Sequence, residues 1–418
     1  MRKNLGRLLW MLAAMSLAVG VALPAASASV SHAKTPPSVP GFDGKTIKLG
    51  VLTPLSGAAS VIGKPLTNGN KAYWDAVNAK GGVGGKYKVQ LSQQDTQYDV
   101  ATALQGYDQM KGDVVAFQQV LGTQIMQAVL QRLKADRLTA APATLDSLWV
   151  KVPQLVPIGA PYQVLAANGM DYYINKGGGK GKKICALAQD DLYGAAGLEG
   201  LTFAAKQLKF KVATTARFAT GSDVSAQVGQ LADAKCEAVL LVSLPNDTLS
   251  IVTKMIGRNF TPQVLGMAPT WLSGFETSPD QGSFYTQHFL LLSQGPAWGD
   301  TTVPGMKKML ADVAQFAPSQ KPDQYFTFGY AQSWAMDQVL EQAVKNGDLS
   351  AAGIQKATTQ VGTLKFQNLT GDYLYGSSAG SRNPPRDSTI FKIVNGQPIG
   401  LSVLVPSFVS PTAKALKF

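Results

Sequence analysis

Lys48-Leu-Gly-Val-Leu-Thr-Pro-Leu-Ser-Gly57 is the stretch that decides the fold class. A short, unbroken apolar run that ends in small residues reads as a buried parallel strand feeding a loop at its carboxyl end. Downstream of it, strand-like and helix-like stretches alternate. Upstream lies a secretory leader. The chain of 418 residues carries only 2 His, so an exported α/β protein that captures a ligand is expected, ahead of one that does chemistry on it.

The leader is legible residue by residue. Arg2, Lys3 and Arg7 precede an apolar stretch over 8–19, and Ala26-Ser-Ala28 supplies the small residues that signal peptidase needs. Cleavage is expected after Ala28, with Ala33 as a second site. The stretch is short and breaks at Pro24, so a leader (1–28) is expected and a membrane anchor is not. No cysteine lies near the cleavage point, which leaves no place for a lipid anchor. The remaining chain is expected to be soluble, in the periplasm or cell envelope.

About 390 residues remain, more than one ordinary core holds, and two lobes are expected. The formal charge is +12, and three of the cations lie in the leader. The others occur in scattered pairs such as Lys182-Lys183 and Lys307-Lys308 without aromatic interleaving, which reads as a solvated surface and argues against nucleic-acid binding. Cys185 and Cys236 stand beside apolar runs. They are either a structural disulfide or two buried thiols. The oxidising compartment, and the lack of a histidine partner that would suit catalysis, favour the disulfide.

Working outward, residues 29–44 are rich in Pro, Ser and Ala and read as a tether. Strands are expected at 47–52, 89–94, 114–118 and 138–141, with helices at 66–80, 100–110 and 124–134. Gly81-Gly-Val-Gly-Gly85 stops the first helix. After a Pro-rich crossing at 152–161, a second series has strands at 184–188, 212–218, 238–242 and 264–267. Its helices are expected at 162–175, 195–208, 224–232 and 248–256. A long helix over 323–345 and two strands around Asn395-Gly396 follow. Such alternation argues βαβ units and a parallel sheet in each lobe.

Motifs for chemistry are weak. Gly376-Ser-Ser-Ala-Gly380 matches the nucleophile-elbow pattern, but Ser381-Arg-Asn-Pro-Pro385 cannot start the helix that the pattern requires, and His288 precedes Ser378 where the base should follow. Gly177-Gly-Gly-Lys-Gly-Lys-Lys183 precedes a strand, whereas a phosphate loop follows one. One well-placed His and two Cys are too few ligands for zinc. Asp190-Asp191 read as helix caps. No catalytic residue, metal site or cofactor is expected. What remains is the loops beyond the strand ends, where open α/β sheets bind ligands: 53–63, 119–123, 142–146, 190–194, 243–247 and 268–271.

At these loops the chain resembles the branched-chain amino acid binding proteins, the type I periplasmic binding proteins of ABC importers. KLGVLTPLSGAASVIGKPLTNGNKAYWDAVNAKGGVGG is similar to that family's opening strand, ligand loop, first helix and glycine stop. AAPAT (residues 140–144) resembles its second ligand loop, and AQDDLYGAAG (188–197) its second-lobe loop with a cleft tyrosine. The resemblance implies a two-lobed α/β fold, each lobe a mostly parallel sheet flanked by helices, joined by three hinge segments. It places lobe 1 at 45–162 and 290–367, lobe 2 at 163–289 and 368–418, and crossings near Pro161, 288–292 and 365–372. It implies ligand contacts at Ser60 and Ile62, at Gly122 and Thr123 with the helix start that holds a carboxylate, at Ala143 and Thr144, at Tyr193, Leu244, Ala268 and Trp271, and at Tyr325. It also implies delivery to an ABC permease, by a monomer.

The chain departs from that pattern at Ala268, which stands nearest the place of the acid that meets a ligand ammonium, and at Leu244-Pro245, where aromatics are common. A desolvated ammonium without a counter-charge costs several kcal/mol. The replacements suit an aromatic or aliphatic carboxylate, or a neutral amide, unless Asp190, Asp191 or Asp247 turns inward. Competing readings are a ligand-sensing regulatory module of the same fold and a secreted hydrolase.

Overall fold

The computed structural model describes residues 36–418; the expected leader and the start of the tether lie outside them. Lobe 1 begins with β1 (Thr46–Thr53), α1 (Ser60–Ala79), β2 (Lys88–Asp95), α2 (Val100–Met110), β3 (Ala116–Leu121), α3 (Thr123–Asp136) and β4 (Thr139–Ala143). The four strands form one parallel sheet in the order β2-β1-β3-β4. Lobe 2 follows with α4 (Tyr162–Asn175), β5 (Ile184–Gln189), α5 (Leu192–Leu208), β6 (Val212–Phe218), α6 (Ser225–Asp233), β7 (Ala238–Val242), α7 (Pro245–Gly257), β8 (Gln263–Met267), α8 (Gly282–His288) and β9 (Phe289–Ser293). The chain then returns to lobe 1 with α9 (Pro304–Phe316), α10 (Gln324–Asn346), α11 (Ala351–Ala357), and a ribbon of β10 (Gly362–Leu364) and β11 (Tyr373–Gly376). It closes lobe 2 with β12 (Ser388–Ile393), β13 (Leu401–Phe408) and α12 (Pro411–Lys414).

The lobe-2 sheet has seven strands in the order β13-β12-β9-β8-β7-β5-β6, in which β12 alone runs antiparallel to its neighbours β9 and β13. Because β9 pairs with β8 inside this sheet, the second crossing comes after Ser293 and not at 288–292. The third also comes later than expected. Tyr373 and Tyr375 of β11 pack into the lobe-1 core, and the chain rejoins the lobe-2 sheet at Ser388.

Local chemistry explains the elements. Asp99, Asp191 and Asp323 cap α2, α5 and α10 by accepting from backbone N–H groups three residues on, which satisfies helix donors that have no other partner. Helix α1 begins six residues before the expected start and runs through Pro65. Proline there forfeits one bond early in the helix, and burial of Ile62 and Leu66 holds the first turns. Strand β3 extends past its expected end because Gln118 and Gln119 have partners inside the core. Trp74 Nε1 donates to Gln118 Oε1 at 3.1 Å, and Gln119 Nε2 donates to Thr53 Oγ1 at 2.7 Å.

The tether expectation ends at Val39. Phe42 is buried with its ring edge-on to Tyr87 at 5.1 Å, and Lys48 N–H donates to Gly41 O. Cys185 and Cys236 form a disulfide with Cα atoms 5.9 Å apart, tying β5 to the turn before β7. Helices α1 and α10 cross closely: a Cβ on Gly329 would lie 1.9 Å from Leu66 O.

A candidate ligand cleft between the lobes

The carboxyl ends of both parallel sheets face one cleft. From lobe 1 come the start of α1, Gly122 before α3 and Thr144 after β4. From lobe 2 come Asp191, Leu244 and the 3-10 turn Ala268–Thr270. The lobes touch. Leu244 packs with Ala59, Ile62, Leu66, Leu121 and Tyr325 in one apolar cluster. Tyr325 OH donates to Trp271 O at 2.6 Å, Gln324 Nε2 to Trp271 O at 2.9 Å, and Asn246 Nδ2 to Ala58 O at 3.0 Å.

A polar corner lies on the lobe-1 side. The hydroxyls of Thr123 and Thr144 are hydrogen-bonded at 2.6 Å and buried. Thr123 opens α3, where the first backbone N–H groups have no helical acceptor and the helix dipole is positive. Gly122 precedes it at φ 106, and a Cβ there would come within 2.9 Å of the Tyr98 ring. Beside Thr144 stands Tyr162. Burial pushes its phenol up to about 12, with the Thr144 hydroxyl opposing that rise. The ring of Tyr193 packs on Tyr162 with centroids 4.8 Å apart, and its buried hydroxyl has no partner among the described residues.

From this corner an apolar cavity runs between the lobes into the hinge, with a free space of about 1020 Å³ counting its open mouth. Among the described residues none of its lining side chains is charged. Of the expected contacts, Ile62, Ala143, Thr144, Ala268 and Tyr325 line it. Thr123 and Tyr193 stand directly behind lining residues. Leu244 closes the interlobe cluster, and Ser60 is the half-buried first residue of α1.

Trp271 differs from expectation. Its ring is fully buried in lobe 2 against Phe275 and Tyr285, and its indole N–H donates to Ile399 O at 3.1 Å. It serves the cleft through its carbonyl, which the bonds from Tyr325 and Gln324 engage. An aromatic at a strand end reads the same whether it turns inward or outward, so the sequence carried no signal for this.

No acid takes the place left by Ala268. Asp190 pairs with Arg217 at 2.8 Å on the surface, Asp191 caps α5, and Asp247 accepts from Gly221 N–H at 2.8 Å. Burial raises the carboxyls of Asp191 and Asp247, and none of the three lines the cavity. Ser378 follows β11 but leads only into the 3-10 turn Ala379–Ser381, and its Oγ accepts from Ser381 N–H at 3.2 Å. His288 ends α8 against Phe284 in lobe 2. Among the described residues no cluster of three metal-ligating side chains occurs, and no helix is long and apolar enough to cross a membrane.

Sequence reasoning missed the cavity's hinge wall: Ile158 on the first crossing, Gln294, Gly295, Pro296 and Trp298 on the second, and Met306, Leu369 and Thr370 from the adjoining part of lobe 1. It also missed Tyr162, Gln324 and Phe328. The one available signal was Gly295-Pro-Ala-Trp298, a turn sequence carrying a large aromatic.

The profile of the family described as periplasmic binding protein matches residues 46–397. No curated protein matches the sequence. Among solved structures, the chain is similar to a fatty acid ABC transporter substrate-binding protein from Thermomonospora curvata. That one is 25% identical with a TM-score of 0.84, covering 91% of this chain and 97% of the other. It shares its fold with a possible leucine/isoleucine/valine-binding protein from Rhodopirellula baltica (19% identity, TM-score 0.75, coverage 88% and 98%). It shares it also with a branched chain amino acid ABC transporter from Thermus thermophilus with bound valine (14%, 0.74, 88% and 98%).

Proposed function

This chain belongs to the periplasmic binding protein family, and we propose that it captures an elongated aliphatic carboxylate between its lobes and passes it, without altering it, to the permease of an ABC importer. The observation that carries the reading is the uncharged, largely apolar cavity that opens from the Thr123–Thr144 corner. The corner offers hydroxyls and free amides at a helix start, a fit for a carboxylate. The cavity offers apolar wall for a hydrocarbon chain, and Ala268 leaves an ammonium without a counter-charge. The similarity to the Thermomonospora curvata fatty acid binder supports the same ligand class.

In this reading the family's extracytoplasmic location is reached through the leader at residues 1–28. The ligand closes the lobes by a hinge motion over the three crossings. A monomer docks to the membrane subunits.

Isothermal titration with even-chain fatty acids of eight to sixteen carbons, set against leucine and valine, tests it. Each buried methylene contributes about 0.8 kcal/mol, so affinity should rise about fourfold per methylene until the cavity is full. Micromolar binding of leucine or valine, with no binding of any fatty acid, overturns the reading.

A further inference from the structure

We propose that Gln294 is the pin of the hinge: it ties the first crossing to the second at the margin of lobe 2, so that closure bends the first crossing at Ile158-Gly159, beside the cavity. The inference rests on the reading that the lobes close around a ligand, and it names the residues that set that motion.

Two sets of ties carry it. At the margin of lobe 2, Ala160 N–H donates to Gln294 Oε1 at 2.8 Å, which joins the first crossing to the second. One residue on, Gly295 O accepts from Thr389 Oγ1 at 2.6 Å. Thr389 pairs with Ser293 in the lobe-2 sheet, so the third crossing is joined at the same level. At the margin of lobe 1, Tyr375 is packed in the core and its OH donates to Pro157 O at 2.7 Å.

Between the ties at Pro157 and Ala160, only Ile158 and Gly159 are left to turn. The second crossing has residues 296–303 before α9, and the third has 377–387 between β11 and β12. A rotation shared by three chains is limited by the shortest, and a hinge concentrates its φ/ψ change in a few such residues. Gly159 stands at φ 73, which glycine adopts at little cost, and a Cβ there would lie 2.4 Å from Gln294 Nε2. The missing side chain therefore serves both the bend and the close approach of the pin.

The pin also meets the ligand. Gln294 and Ile158 line the cavity, and Gly159 does not. Ala160 is fully buried, so its N–H has no water to turn to if Gln294 swings away. A ligand chain packed against Gln294 holds it in the rotamer that accepts from Ala160, and that contact favours the closed lobes.

The test is small-angle X-ray scattering and calorimetric titration of the purified protein with dodecanoate. The native protein should bind it, and its radius of gyration should fall at saturation. Gln294→Met keeps the length of the side chain and removes the acceptor, so it should contract less and bind about two- to tenfold more weakly. Gly159→Ala lies outside the cavity wall yet should show both effects, because its Cβ displaces the Gln294 amide. The double variant should then bind no more weakly than the weaker single one, and losses that add overturn the shared role. Thermal melts confirm that each variant is folded. Contraction and affinity of native size in Gln294→Met, or in Gly159→Ala if the first does not fold, overturn the inference while leaving the fatty-acid reading intact. Native binding without contraction does the same. No binding by the native protein overturns both.

Discussion

Replacing Thr144 by valine tests the polar corner most directly, because valine keeps the shape and removes only the hydroxyl. In the free protein one proton lies between Thr123 Oγ1 and Thr144 Oγ1, 2.6 Å apart. The other proton of the pair is free to be donated. When Thr123 donates to Thr144, the Thr144 O–H is left to donate into the cavity that Thr144 lines. A hydrogen bond to a charged partner contributes about 1.5–3 kcal/mol, so Thr144→Val should weaken the binding of dodecanoate by about 10- to 150-fold in isothermal titration. The same change strands the Thr123 hydroxyl, which is 2% exposed. It should therefore also destabilise the unliganded protein by about 1–3 kcal/mol in chemical denaturation. Thr144→Ser keeps the hydroxyl and should bind within a few-fold of the native protein. If Thr144→Val binds dodecanoate within threefold of native while losing stability, the pair is a structural link between α3 and the β4 loop, and the carboxylate assignment falls.

Other consequences follow from parts of the fold remote from the cleft. Cys185 and Cys236 close a loop of sequence separation 51, which in the chain-entropy account is worth about 4 kcal/mol. Serine at both positions should lower the melting temperature by about 5 °C, and an unchanged melt refutes this. Burial pushes the Asp337 carboxyl up to about 7, against the hydrogen bond from Tyr73 and the nearby charge of Lys308. The folded chain thus keeps a proton that an unfolded aspartate releases near 3.9. The stabilisation is full below about pH 4 and is lost as pH rises through 7, a swing of up to about 4 kcal/mol. Melts from pH 5 to 8 should fall less steeply in Asp337→Asn than in the native protein, and equal slopes would count against the assignment. Gly329→Ala should cost about 1–3 kcal/mol or more, since its Cβ would lie 1.9 Å from Leu66 O. Alanine otherwise favours a helix by about 1 kcal/mol over glycine, so a stabilised variant in denaturant titration would show that α1 and α10 do not approach so closely.

What the sequence made legible follows from where each element's information resides. Parallel strands covered on both faces become continuous apolar runs, and Ile184-Cys-Ala-Leu-Ala188 and Ala238-Val-Leu-Leu-Val242 read correctly as β5 and β7 for that reason. Helix caps are equally local, and Asp323 marked the start of α10. Strand β3 read short because the partners of its glutamines, Trp74, Thr53 and Thr67, come from other elements. Strand β9 read as a crossing because α8 runs straight into it, with no turn residue between His288 and Phe289.

The site divides in the same way. Residues on loops after strands, such as Thr144 and Ala268, have positions set by local order, and the resemblance located them in the cavity wall. The hinge wall has no such local mark. Ile158, Trp298 and Thr370 come from three segments far apart in sequence, and each is unremarkable alone. The loss of an acid at Ala268 was visible in the sequence and argued against an amino acid. The apolar cavity beside it takes its far wall from segments remote in sequence, so the polar corner was legible in the loops and the hinge wall was not.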